Sequence, residues 1–449
     1  MSTFNAIQTA FSGIRAQQAA MEVASQNVAN VNTPGYHRQE AVLQAREAFG
    51  GVVGSGVDVT TVRRLQDQFL QQQSRLAEGQ VGYWSTAHGY LQQVEGVLAP
   101  GTDLDLSTMF DQFFNAWQQL ADHPEEPSRS DGVRSAAIDL TTTLNSTASK
   151  LDALTSELGD SLGSDVTQIN TLADKLATLN AQIGAAKAVG TAPNDLLDQR
   201  EAVLDELASL GGVTSLSTDE GTSIVSLGGR SLVQGSNAHH LDVRQGSSGA
   251  MVVWAEDGAQ ANITSGAMAS LVELRDKIIP GYKDQLDAMA YALASAVNTL
   301  HRNGVTLDNT AAGDFFSGTT AAGIRVHDDI LADSTNIAAS RLAGAPGDGG
   351  LANEIYALYQ QPLVGSQTLN QHAQSLLGQI GHAVRSAEIN TDANTAVQQQ
   401  LYTQEQAVSG VSIDEELTNL ITSQRAYDAS ARVFSIADEM LKTLIERMG

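Results

Sequence analysis

The chain has 449 residues, 51 of them acidic against 25 basic, a formal net charge of −26 at pH 7 and no cysteine. Phosphate contacts need clustered Lys and Arg, so nucleic-acid binding is not expected, and an anionic membrane surface would be repelled for the same reason. Disulfides and thiolate chemistry are excluded. Hydrophobic residues at 42% suffice for packed cores, and the length suggests about three domains. Aromatics, at 5%, are scarce, which suits long polar helices better than one aromatic-rich core. No apolar run reaches bilayer-spanning length, and the N-terminus lacks the basic and apolar regions of a cleaved signal. Neither membrane insertion nor signal cleavage is expected.

At the N-terminus, Phe4, Ile7, Phe11, Ile14, Met21 and Val28 recur at spacings built from three and four, with Gln18 and Ser25 in the gaps. That spacing keeps one face apolar and predicts a helix with a coiled-coil seam. Asn27-Val28-Ala29-Asn30-Val31-Asn32-Thr33-Pro34-Gly35-Tyr36 then ends the helix and turns the chain. From Gln39 to Arg64 we expect an extended connector with a short strand or hairpin. Gly50 to Gly56 is read as a turn, since no Gly-Lys-Ser/Thr follows to make a phosphate loop.

Helical periodicity runs from Gln66 to Leu98. Between Asp103 and Ala121, Met109, Phe110, Phe113, Phe114, Trp117 and Leu120 are spaced for a buried helix face. Pro124 and Pro127 break the pattern. The proline-free stretch up to Pro193 predicts one or two very long bundle helices, and a helix over Asp195–Leu210 is capped by Gly211-Gly212. From Val213 to Ile263, short β-branched runs predict a small antiparallel sheet of hairpins. Helix is expected again from Ala267 to His301 with a turn or kink at Pro280-Gly281. A short polar stretch follows Phe316, and helices resume near Leu351 and over Leu369–Val408.

Ser412-Ile413-Asp414-Glu415 predicts a capping box opening the C-terminal helix, with Glu415 reaching back. That helix carries a seam of Ile413, Leu417, Leu420, Tyr427, Ala431, Phe434, Leu441, Ile445 and Met448. Val433, Ile436, Met440 and Leu444 form a second stripe. A helix apolar on two sides needs two sets of neighbours.

Nothing in the sequence marks a catalytic, cofactor or metal site. His239-His240 would point to opposite faces of a strand, no His-Glu-x-x-His occurs, and His327-Asp328-Asp329 reads as a solvated loop. Asp103 with Asp105 lacks the rest of a calcium loop. A cell-wall hydrolase would need two carboxylates fixed across a cleft, and none is singled out by its surroundings. No Gly-x-Ser-x-Gly appears. An enzyme is not expected.

The Asn-Val-Ala-Asn run with Thr-Pro-Gly-Tyr resembles the signature of bacterial flagellar rod, hook and hook-associated axial proteins. Ser409-Gly410-Val411, Asp414-Glu415-Glu416, Gln424-Arg425-Ala426-Tyr427 and Asp195-Leu196-Leu197-Asp198-Gln199-Arg200 resemble, more narrowly, the hook-associated junction members of that family. So do Leu274-Arg275-Asp276 and Asp314-Phe315-Phe316. The resemblance covers roughly residues 1–60, 195–316 and 398–449, and the extra β domain that many relatives insert after Phe316 is missing. It implies a structural part of the hook–filament junction, lying outside the cell and exported by the flagellar type III apparatus without cleavage. The implied partners are further copies in a ring, the hook protein, the next hook-associated junction protein, and an export chaperone on the C-terminal helix.

The fold class expected is α+β, mainly α. Residues 1–60 plus 400–449 would form an inner assembly domain of terminal helices. Residues 61–212 plus 266–399 would form a helical bundle, and 213–265 a small β-hairpin subdomain. The assembly interface would be Phe4, Ile7, Phe11, Ile14, Met21 and Val28 with Leu417, Leu420, Tyr427, Val433, Phe434, Ile436, Met440, Leu441, Leu444 and Ile445. Asn27, Asn30, Thr33, Pro34, Gly35 and Tyr36 would form the adjoining turn. A hook or rod protein is one competing reading. An adhesin with a helical stalk is another, but a stalk needs only one seam.

Overall fold

A computed structural model describes residues 3–46, 55–99, 101, 105–217, 222–246 and 249–448. The glycine turn at 50–54 and Asp103 of the calcium pair lie outside them, as does the side chain of Met448. The architecture is mainly helical with small antiparallel sheets, the expected class. The first helix α1 (Thr3–Ala29) lies along the last, α11 (Ile413–Met448). Asn27 meets Glu416 and Gly13 faces Ser430, so the two run antiparallel. Strands β1 (Gln39–Ala45) and β2 (Val57–Arg64) form the expected hairpin, bulged between Val42 and Leu43. The hairpin packs on α1 where the Val57 amide donates to Ser12 Oγ at 3.1 Å.

Next come α2 (Gln68–Leu98), α3 (Leu106–Asp122), α4 (Pro127–Ala188) and α5 (Asn194–Gly211). Asp67 caps α2 by accepting from the Phe69 and Leu70 amides, and Pro127 opens α4 where its missing N–H costs nothing. The long proline-free stretch is one unbroken helix of 62 residues. Gly212, in the left-handed region at φ 63°, closes α5 as expected.

The β segment holds β3 (Thr214–Ser217), β4 (Ser223–Leu227), β5 (Arg230–Gln234) and β6 (Asn237–Ala238) as one antiparallel sheet. The hairpin of β7 (Leu241–Gly246) and β8 (Gly249–Trp254) follows. Then α6 (Gly266–Glu273) passes through a π turn at Leu274–Ile278 straight into α7 (Ile279–His301). Of the turn or kink expected at Pro280-Gly281, the turn does not occur, since the chain stays helical through it. Pro280 falls at the first helical positions after the π turn, where its lack of an N–H is tolerated.

The polar stretch after Phe316 is more ordered than expected. It forms the short pair β9 (Phe316–Ser317) and β10 (Arg325–Val326), then α8 (Asp328–Ala332) and a 3₁₀ turn at Ser334–Asn336. Ala321, Ile324, Val326, Ile330, Ile337 and Ala338 are buried there. His327 caps α8 rather than lying in a solvated loop. Helices α9 (Gly350–Ala357) and α10 (Leu369–Ser409) complete the chain before α11.

One apolar core runs from Ala87 to Ala387 and takes in Val225, Leu232 and Trp254 of the β segment. The α3 aromatics sit at its centre, with Phe113 edge-on to Phe114 at 5.1 Å and Phe315 to Phe316 at 4.7 Å. Among the described residues, none of α1 or α11 belongs to this core. The terminal pair is therefore joined to the body mainly through its base.

Candidate assembly site at the base of the terminal helices

The α1–α11 contact is built from smaller residues than the sequence suggested. On α1 the buried positions are Ala10, Ser12, Ala16, Val23, Ala24 and Asn27. Ile7, Ile14, Met21 and Val28 are half-buried, while Phe4 and Phe11 are 59% and 51% exposed. Small side chains allow α1 to approach both α11 and the hairpin, and the large ones are displaced to the flank.

On α11 the covered line is Glu416, Leu420, Ser423, Tyr427, Ser430, Phe434, Ala437 and Leu441, alternating four and three. Leu420, Tyr427, Phe434 and Leu441 of the expected seam are thus half-buried. Ile413, Leu417 and Ile445 face solvent instead, together with Val433, Ile436, Met440 and Leu444, all 46 to 64% exposed. Of these, Val433, Ile436, Met440 and Leu444 share one face of α11, so the pair leaves an apolar stripe open.

Where the pair meets the body, polar chemistry takes over. Asn27, only 1% exposed, donates from Nδ2 to the Gln39 carbonyl at 2.9 Å and to Glu416 Oε2 at 3.2 Å. Its Oδ1 accepts from Gln39 N and from Tyr36 Oη, both at 2.9 Å. Burial, then the charges of Asp198, Asp195 and Glu416, push the Tyr36 phenol up to about 12, so it stays a donor at neutral pH. Thr33 Oγ1 donates to Asn30 Oδ1, and Gly35 takes φ 74°, which turns the chain. Thr33, Pro34 and Gly35 are exposed, and Asn30 is half-buried.

Arg38 clasps α11, with Nε on Glu416 and Nη1 on Glu415, both at 2.7 Å. This corrects the expected capping box. Glu415 does not reach back, because a guanidinium is a stronger partner than a backbone amide, and the Ser412 contact to Glu415 N is long at 3.5 Å. The Arg38 amide also donates to the Ser409 carbonyl at 2.8 Å, tying the turn to the end of α10.

The body side is a buried ion network. Arg64 Nη1 donates to Asp198 at 2.8 Å, and Arg75 donates to Asp205 at 3.0 Å, to Ser215 at 2.9 Å and to Glu201. His37 Nδ1 contacts Asp198 Oδ1 at 2.8 Å, while its Nε2 faces Gln71 at 3.4 Å and Glu405 at 3.8 Å. A cavity of about 550 Å³ lies among Tyr36, His37, Arg75, Glu78, Asp205 and Glu405. Burial raises the Glu78 carboxyl despite a bond from Gln398.

Sequence reasoning singled out Asn27, Tyr36 and the 195–200 segment, named Glu416 only within the Asp414-Glu415-Glu416 motif, and missed His37, Arg38, Arg64 and Arg75. Two signals were available. Arg64 closes β2 beside Arg63, and Glu416 stands as an acidic residue at the head of the four-and-three line that continues through Leu420. Elsewhere, His239 and His240 take separate partners, Glu256 at 2.5 Å and Asp174 at 2.9 Å. Among the described residues no group of three or more His or acidic side chains is placed to hold a metal.

Three family models match. They are the flagellar hook-associated protein FlgK helical domain over residues 91–316, the flagellar basal body rod FlgEFG protein C-terminal region over 404–447, and the flagella basal body rod protein over 7–37. The chain is 33% identical to flagellar hook-associated protein 1 of Bacillus subtilis (strain 168), across 100% of this chain and 99% of that protein. Against flagellar hook-associated protein 1 of Escherichia coli (strain K12) identity is 27%, across 98% and 99%. The solved flagellar hook junction protein FlgK from Burkholderia pseudomallei has the same fold, with a TM-score of 0.68 at 17% identity. The match covers 75% of this chain and 100% of that one.

Proposed function

The chain belongs to the flagellar hook-associated protein 1 family of structural flagellar components, and we propose that its terminal helix pair builds the hook–filament junction. The observation that carries this reading is the open apolar stripe of α11: Val433, Ile436, Met440 and Leu444 recur at spacings of three and four and are exposed on a helix already paired on another side. Apolar stripes of that length need a partner, and neighbouring subunits supply one. Phe4 and Phe11 are likewise exposed on α1. In this reading residues 1–60 with 400–449 are the assembly domain, 61–212 with 266–399 the helical body, and 213–265 a β subdomain resting on the body's core.

The proposed partners are further copies in a ring, the hook protein on one side and the next hook-associated junction protein on the other. An export chaperone would cover the α11 stripes beforehand. The site of action would be extracellular, reached through the flagellar type III apparatus without cleavage. The role is mechanical, so no substrate or cofactor enters it. The whole-length match to hook-associated protein 1 favours this reading over a hook or rod protein. Electron microscopy of a strain lacking the gene tests it. Hooks without filaments are expected, and normal filaments would overturn the assignment.

A further inference from the structure

A groove of about 540 Å³ separates β2 from the connection between α4 and α5. Arg63, Arg64, Lys187 and Arg200 line it, and no carboxylate does. That runs against the composition of a chain with twice as many acids as bases. Arg64 and Arg200 are buried. Arg64 is held by Asp198 and Glu201, yet its Nε has no hydrogen-bond partner. The carboxylate paired with Arg200, that of Glu201, stands 3.8 Å away. Burial first, then the Arg64 and Arg75 charges, lowers the Arg200 guanidinium to about 10.

At the mouth, Lys187 is exposed and makes no ion pair among the described residues. Arg63 has only Glu40, at 3.1 Å in an exposed pair that exchanges for a new carboxylate at little cost. The first turn of α5 also borders the groove; no side chain caps it, the Asn194 amide is bonded to the Ala192 carbonyl, and the turn carries Asp195.

We propose that this groove receives a carboxylate-bearing surface segment of a second copy of the chain, where subunits meet side by side. The proposal rests on the assembly reading above. Copies carrying −26 each repel one another, so close lateral packing needs a place where the sign reverses, and this groove is such a place. Single-stranded nucleic acid fits it poorly, since no aromatic ring lines the groove for base stacking.

The test places a photo-crosslinking amino acid at Ala192, on the exposed rim, in cells assembling flagella. An adduct joining two copies through an acidic peptide is expected. A crosslink only to a different flagellar component, or none while filaments form, would overturn the proposal. A second arm combines Lys187→Glu with Arg63→Glu, both exposed, in a chain expected to melt like wild type. The dimer adduct should fall by about tenfold, through loss of charge complementarity. An unchanged yield overturns the groove assignment. Failure of the wild-type chain to reach the hook tip would instead overturn the assembly reading.

Discussion

Asn27 and Glu416 lie 389 positions apart in sequence and 3.2 Å apart in the fold. With Gln39 and Tyr36 completing the set, both donors and both acceptors of one side-chain amide are used. An asparagine so placed reads the turn, the hairpin and the last helix at once.

Asn27→Ala strands several buried groups, each costing about 1–3 kcal/mol when left unpaired. Amide exchange should accelerate at Gln39 and around Glu416, while α4 keeps its protection. Unchanged exchange at Gln39 would show that Asn27 is not the connection.

His37 sets a pH dependence. Burial lowers its pKa, but the bonds to Asp198 and Glu405 outweigh burial and the opposing Arg64 charge, so the net shift is upward. A raised folded value means that the stabilisation is complete below the unfolded value of about 6.5 and is lost as pH rises through the folded one. Protonation also lets Nε2 donate toward Glu405 instead of accepting from Gln71. The difference in Tm between wild type and His37→Gln should therefore shrink from about pH 6 to about pH 9. A constant difference across that range would remove His37 from the linkage.

Gly82 marks the closest approach of α2 to α5. A Cβ there would meet the Ser209 carbonyl oxygen at 2.2 Å, a backbone atom that cannot swing away. Gly82→Ala should lower stability by about 1–3 kcal/mol despite alanine's better helix propensity. Thermal melting decides it, and a higher Tm would show that the helices separate freely.

Local signals in this chain were legible where one segment carries the whole cause. The hairpin over 39–64, the unbroken α4 and the Gly212 cap each follow from turn residues, absent prolines or a glycine that accepts positive φ. The turn expected at Pro280 is absent because the π turn immediately before it leaves the proline at the first positions of α7, where its missing N–H is tolerated. The seam was legible in part: Leu420, Tyr427, Phe434 and Leu441 lie on the covered line of α11, whereas Ala10, Ala16 and Ala24 are the most buried apolar positions of α1 and Phe4 and Phe11 lie outside. The ion network joining Arg64 and Arg75 to Glu201 was invisible for a different reason. Its members stand 137 and 126 positions apart, and no local pattern reports such a pairing.

The most direct measurement combines Ile436→Asp with Met440→Asp, on side chains that are 53% and 56% exposed in the monomer. Charges there leave the folded chain intact but place carboxylates against an apolar neighbour once subunits pack. The account predicts an exported variant with wild-type melting that leaves hooks bare when counted by electron microscopy. Filaments at wild-type frequency would contradict the claim that the α11 flank is the assembly surface.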